Sequence, residues 1–447
     1  MTGSLRFRAL TLALGCCAFA TTALAQNVKP PKAQLWMDVS TGTMAGMPEM
    51  DMPAGGGAAA MMGGLMGGRG GSGGGNTAYG TARGMSFMPP RVLDIALYNR
   101  LKPGVEASQA IPPGMKMGES LPLVPPKAEV REHEPGEMPR DMPRETPKGR
   151  ILIYWGCGEA VRAGQPRVID LSRGNPADFG AAFAGRYTPD RGARVGPAYA
   201  LYPNEKNQVN LARDSSLVGQ HQVLGDSVPA SMKFTLGQAQ DLMPPIDLQT
   251  SGGVKDSMKA SWGQVTNARA YYLHAMGQVG DDMVMWSSSE TGDTGSGLFD
   301  YLPNATIDRW LKERVLLQPD TTQCAIPAGI FAGAGTGGRN AQGAMLRMMA
   351  YGSESNFAHP PRPTDPRATW EPDWAVRVRV KSSTMAMLGD EQGGRRSAGR
   401  SRPEPREQRQ QRDQATGDAP PQQGNAEPGP GLGLPNPAGL LKGLFGR

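Results

Sequence analysis

Residues 258–290 read MKASWGQVTNARAYYLHAMGQVGDDMVMWSSSE. An alternating segment leads into the turn-like Val265-Thr266-Asn267. A second segment runs from Ala268 to Met276 and a third from Met283 to Ser289, with the turn cluster Gly277–Asp282 between them. Period-two alternation bounded by glycine, asparagine and aspartate predicts a small antiparallel meander. Strands of this kind bury one face against a second apolar layer, so a β-sandwich is expected.

The same signal recurs on both sides. Gln34–Val39 has strand character, and Leu93, Ile95 and Leu97 share a face of Arg91–Tyr98. Gly149–Gly156, GRILIYWG, is apolar on both faces, as a covered central strand is. Gln165–Leu171, Tyr199–Tyr202, Gly219–Leu224 and Ser231–Phe234 are shorter candidates. Gln323–Ala332 and Gly343–Gly352 predict two strands joined by a glycine-rich loop. Trp374–Met387 alternates valines 376, 378 and 380 with arginines 377 and 379, which predicts a half-exposed edge strand. The one helical signal in the body is Thr306–Glu313, where Ile307, Trp310 and Leu311 share a face.

These readings give a mostly-β chain with two sandwich-like antiparallel domains, long Gly/Pro-rich loops and a disordered C-terminal tail. The first domain is expected over 26–245, with a Met/Gly-rich loop at 43–75 and a charged, proline-spaced linker at 127–148. The second is expected over 246–389. Glycine (61) and proline (40) are abundant among the 447 residues, so the globular part is smaller than the length suggests. The tail, 390–435, is rich in arginine, glutamine and proline and lacks the apolar residues that repay ordering. Most of the net charge of +6 comes from its arginines between 395 and 412, so no basic nucleic-acid face is expected on the body.

Residues 1–25 read as a signal peptide. Arg6 and Arg8 precede an apolar stretch too short to span a bilayer, and Ala23-Leu24-Ala25 is a cleavage signal. An exported chain, periplasmic or extracellular, with no transmembrane segment after cleavage is therefore expected. Cys157 and Cys324 are the cysteines that remain, each at the end of an expected strand, and a disulfide between them is expected in an oxidising compartment.

Trp262-x-x-Val265-x-x-Ala268-x-x-Tyr271-x-Leu273, followed by Trp286-Ser287-Ser288, resembles the first half of a fibronectin type III module. The resemblance covers residues 258–290. It implies a tryptophan and a tyrosine packed in a sandwich core and a spacer or binding-platform role, with no chemistry.

Catalytic motifs do not assemble. Gly333-Ala-Gly335-Thr-Gly-Gly338 lacks the following helix of a dinucleotide site. Gly225-Asp226-Ser227-Val228 lacks a spaced histidine partner, and His133, His221, His274 and His359 are scattered without ligand spacing. No catalytic or cofactor-binding residue is assigned. The metal candidates are Met44, Met47, Met50 and Met52, because spaced thioethers select Cu(I). The last residues, 436–447, read as a short amphipathic helix: Pro437 follows the N-cap residue Asn436, and Leu440, Leu441, Leu444 and Phe445 share a face. Too short to be stable alone, that helix is expected to dock on an envelope protein or an anionic envelope surface. The expected function is a non-catalytic cell-envelope binding or scaffolding module. The alternative is a periplasmic Cu(I)-handling protein that uses the Met-rich loop.

Overall fold

The structure is a computed structural model. It describes residues 27–47, 76–85, 89–127, 149–171, 185–189, 192–295, 297–334, 343–365 and 367–388. Its elements are β1 (Ala33–Met44), β2 (Arg91–Asn99), β3 (Ala107–Ala110), β4 (Ser120–Leu123), β5 (Arg150–Trp155), β6 (Arg167–Asp170), β7 (Tyr199–Tyr202), β8 (Gly219–Gly225), β9 (Lys233–Leu236), β10 (Leu248–Ser251), β11 (Met258–Trp262), β12 (Ala270–Val279), β13 (Asp282–Ser287), α1 (Asn304–Lys312), β14 (Gln323–Ile326), β15 (Ala344–His359) and β16 (Trp374–Leu388). The chain is mostly β, as its alternation predicts.

A nine-stranded sheet runs in the order β6-β5-β13-β12-β15-β16-β1-β2-β7. Residues before 245 and after 246 both contribute strands, so the two expected segments meet in one sheet. Most pairs are antiparallel, but β1 lies parallel to β16 over its whole length and β13 parallel to β5. One face packs on two smaller sheets, β4-β3-β8-β9 and β10-β11-β14, in a sandwich-like arrangement. Leu35, Met37 and Val39 of β1 and Val376, Val378 and Val380 of β16 point into this core. Each such side chain, fully buried, contributes about 1.5–3 kcal/mol.

The opposite face carries the other parity of each strand. Around its centre it is covered by α1 and the loops at 79–83 and 298–316. Ile307 and Trp310 of α1 pack there on Tyr272, Met349 and Tyr351. Asn304, at the start of α1, donates to the Glu354 carbonyl and accepts from the Glu354 N–H, at 2.8 and 3.0 Å.

Three local expectations are corrected. The stretch 258–290 is not one meander: β12 and β13 form a hairpin, while β11 pairs with β10 and β14 in a facing sheet. Trp262 then meets Tyr271 from across the sandwich, with ring centroids 5.6 Å apart. Gln323–Ala332 and Gly343–Gly352 are not a hairpin either, since β14 joins β11 and β15 joins β12 and β16. Finally, Trp374–Met387 is not an edge: β16 lies between β15 and β1.

A disulfide joins Cys157, just after β5, to Cys324 of β14, with their Cα atoms 5.2 Å apart. It ties the nine-stranded sheet to the three-stranded one. No helix among the described residues is long and apolar enough to cross a membrane.

Candidate functional site

Of the two arginines of β16, Arg379 is buried and Arg377 is half-buried. Across β2, β1, β16 and β15, Asp94, Asp38, Arg379 and Glu354 stand directly opposite one another in a single transverse row. A bulge between Tyr351 and Glu354 sets the end of that row. One extra residue on β15 keeps both Tyr351 and Glu354 on the α1-covered face. Gly352 allows it: a Cβ there would lie 2.7 Å from the Val380 carbonyl oxygen and 2.4 Å from its side chain.

Arg379 donates to both carboxylate oxygens of Asp38, at 2.7 and 2.5 Å. Burial alone would lower the Arg379 pKa, and the neighbouring Asp38 carboxylate more than reverses this. Asp94 is fully enclosed. Its Oδ2 accepts from the Gly80 and Ala82 N–H groups at 3.0 and 2.7 Å, and burial holds its pKa well above the usual carboxylate range. Lys381 lies one pair along β16 on the same face, and burial pulls its pKa down to about 8. Its Nζ donates to the carbonyls of Arg83, Gly84 and Phe299 at 2.9, 2.9 and 3.1 Å. The Tyr301 ring covers both cations, 4.5 Å from the Arg379 guanidinium carbon and 4.6 Å from Lys381 Nζ.

Perturbed groups concentrated in one place are an active-site signature, but here each strong donor is already taken. A lysine saturated by three carbonyls has no lone pair for a nucleophile's work. The row latches the 79–84 and 299–301 loops onto the sheet.

No family model, no curated protein and no solved structure matches the chain. Function is therefore argued from the geometry of individual residues.

Of the metal candidates, Met44 ends β1, half-buried, and Met47 is 48 % exposed just beyond it. Met50 and Met52 lie outside the described residues, as do Leu440, Leu441, Leu444 and Phe445, the signal peptide and nearly all of the 43–75 and 127–148 segments. Ser227 donates to Asp226 at 3.1 Å. His221 has both ring nitrogens engaged, by the Leu217 carbonyl at 2.8 Å and Gln109 at 3.0 Å, so it is no partner for Ser227. Among the described residues no three His, Cys, Asp or Glu side chains cluster as metal ligands.

Sequence reasoning missed two features. The first is the ionic row, whose trace is Asp38 and Asp94 in the middle of otherwise apolar strands. The second is His274, 1 % exposed on β12. Its Nε2 lies 2.8 Å from the Thr294 carbonyl, and its Nδ1 has no partner among the described residues. Burial, with help from Arg347, pulls its pKa down to about 3, so the ring is neutral.

Proposed function

We propose that this is an exported, non-catalytic cell-envelope protein that acts as a binding or scaffolding module, and that it works from one end of the nine-stranded sheet. The supporting observation is strand direction. β1, β6, β12 and β16 finish at the end marked by Met44, where β5, β13 and β15 begin. Residues 48–75, 128–148, 172–184, 335–342 and 389–447 each adjoin a strand at that end. The disulfide and the ionic row brace the body behind it. A braced body with these strand ends gathered at one end suits partner engagement better than enclosed chemistry.

The C-terminal segment supplies the contact in this reading, with Leu440, Leu441, Leu444 and Phe445 docking on an envelope protein and the 395–412 arginines adding attraction to anionic surfaces. Retention of the full-length protein on washed envelopes tests it. Leu441→Asp with Phe445→Asp should release the protein to the soluble fraction. Unchanged retention would remove the tail from the account.

The Cu(I) alternative is favoured by one specific observation: Met44 stands directly opposite Met385, on a sheet face that carries further methionines.

A further inference from the structure

Among the described residues, Arg347 of β15 makes no hydrogen bond and no ion pair. It stands on the α1-covered side of the sheet, directly opposite His274 of β12 and Met385 of β16. The side chain is half-buried, and its guanidinium nitrogens reach the surface. Burial lowers its pKa and no neighbouring carboxylate restores it, whereas Asp38 does so for Arg379. The Phe299 ring holds the guanidinium by a cation–π contact, 5.3 Å from its carbon to the ring centroid. A cation this far removed from water is costly until an anion pairs with it.

Methionines surround Arg347 on the same face. Met345 precedes it by two positions on β15, and Met385 stands directly opposite it. Met387 stands opposite Met345, and Met44 of β1 stands opposite Met385. Directly paired side chains project to one side of a sheet, with Cβ atoms about 5 Å apart. Met44, Met345 and Met387 are half-buried, and Met385 is 9 % exposed. Among the described residues none of the four belongs to a packed apolar cluster. The result is an apolar patch around one guanidinium, at the Met44 end of the sheet.

We propose that this patch docks a segment of a partner protein in which an aspartate or glutamate is flanked by large apolar side chains. The carboxylate accepts two N–H bonds from Arg347, a geometry for which the planar guanidinium is preformed. The flanking side chains lie on the methionines, whose unbranched thioethers adapt to varied shapes. Charge argues against two other occupants. The chain's own tail carries the 395–412 arginines, and Lys442 among its apolar residues, all of the same sign as Arg347. An anionic bilayer would meet Asp281, exposed at the β12–β13 turn of the same end. This contact rests on the reading that a protein partner is met at the Met44 end, and it names the chemistry of that partner.

The test is selection of a random phage-displayed peptide library on the full purified protein, followed by fluorescence anisotropy with the selected peptides. They should carry an acidic residue between leucine, isoleucine, methionine or phenylalanine side chains. Replacing that acid by its amide should weaken binding by about tenfold or more. Arg347→Gln should do the same without moving the thermal transition, and Arg347→Lys should not restore the affinity. The amide peptide should lose little more on Arg347→Gln, since both changes remove one contact. Met345→Gln with Met387→Gln should weaken binding as well. A selection that yields no peptide, peptides without an acid, or peptides that bind Arg347→Gln as tightly as the wild type would overturn the patch. So would Arg347-dependent binding of a synthetic 436–447 peptide or of phosphatidylglycerol vesicles. If Arg347→Gln keeps wild-type retention on washed envelopes while Leu441→Asp with Phe445→Asp releases the protein, this patch falls and the tail reading stands.

Discussion

Arg379 and Asp38 face each other across the parallel β1–β16 pair, joined through both carboxylate oxygens, with side-chain exposures of 3 % and 1 %. They are 341 positions apart in the chain. The pair therefore locks the first strand of the sheet to the last, in one register.

Removing one partner strands the other charge in the interior. Asp38→Asn or Arg379→Met should each destabilise the protein by about 3–5 kcal/mol, read from urea unfolding at neutral pH. The double variant Asp38→Asn/Arg379→Met should lose clearly less than the sum, because no unpaired charge is left. Additive losses would mean that the two groups act independently.

Asp94 gives a pH dependence of definite sign. Its folded pKa is raised above the unfolded value, so the folded state holds the proton more tightly. Its contribution is fully present at pH below the ordinary carboxylate value and is lost as pH rises through and above it. Asparagine keeps an oxygen for the Gly80 and Ala82 N–H groups without an ionisable proton. Asp94→Asn should therefore be more stable than the wild type at pH 8, with the gap closing toward pH 4. A gap that widens on acidification would reverse the assignment.

The disulfide closes a loop spanning 167 positions and bridges two sheets. Cys157→Ser with Cys324→Ser should lower unfolding stability by about 2–5 kcal/mol. A matching Tm with and without the bridge would show that the sheets hold together without it.

The class of the fold was legible because alternation is a local signal. Val376, Val378 and Val380 announce a strand, and so do Leu93, Ile95 and Leu97. The layer in which each strand lies was not legible. Arg377 and Arg379 read as a solvated face because the partner that buries Arg379 comes from the other end of the chain. β11 and β12 adjoin in sequence, yet a turn at Val265–Ala268 sends them to facing sheets, and no periodicity distinguishes that turn from a hairpin. His274 was discounted for lack of ligand spacing along the chain. Arg347 opposite it, and Met385 opposite Arg347, come from strands far away in sequence, and only cross-strand register brings them into one row.

The central functional claim is that the protein meets its partner at the Met44 end of the large sheet. Site-specific photo-crosslinking in intact envelopes tests it most directly, with the probe placed at Met47 or Gln278 at that end and at Val28 or Leu101 at the opposite end, all of them exposed. Discrete adducts are expected from 47 and 278 and none from 28 and 101. Adducts confined to 28 and 101, or equal from both ends, would contradict it.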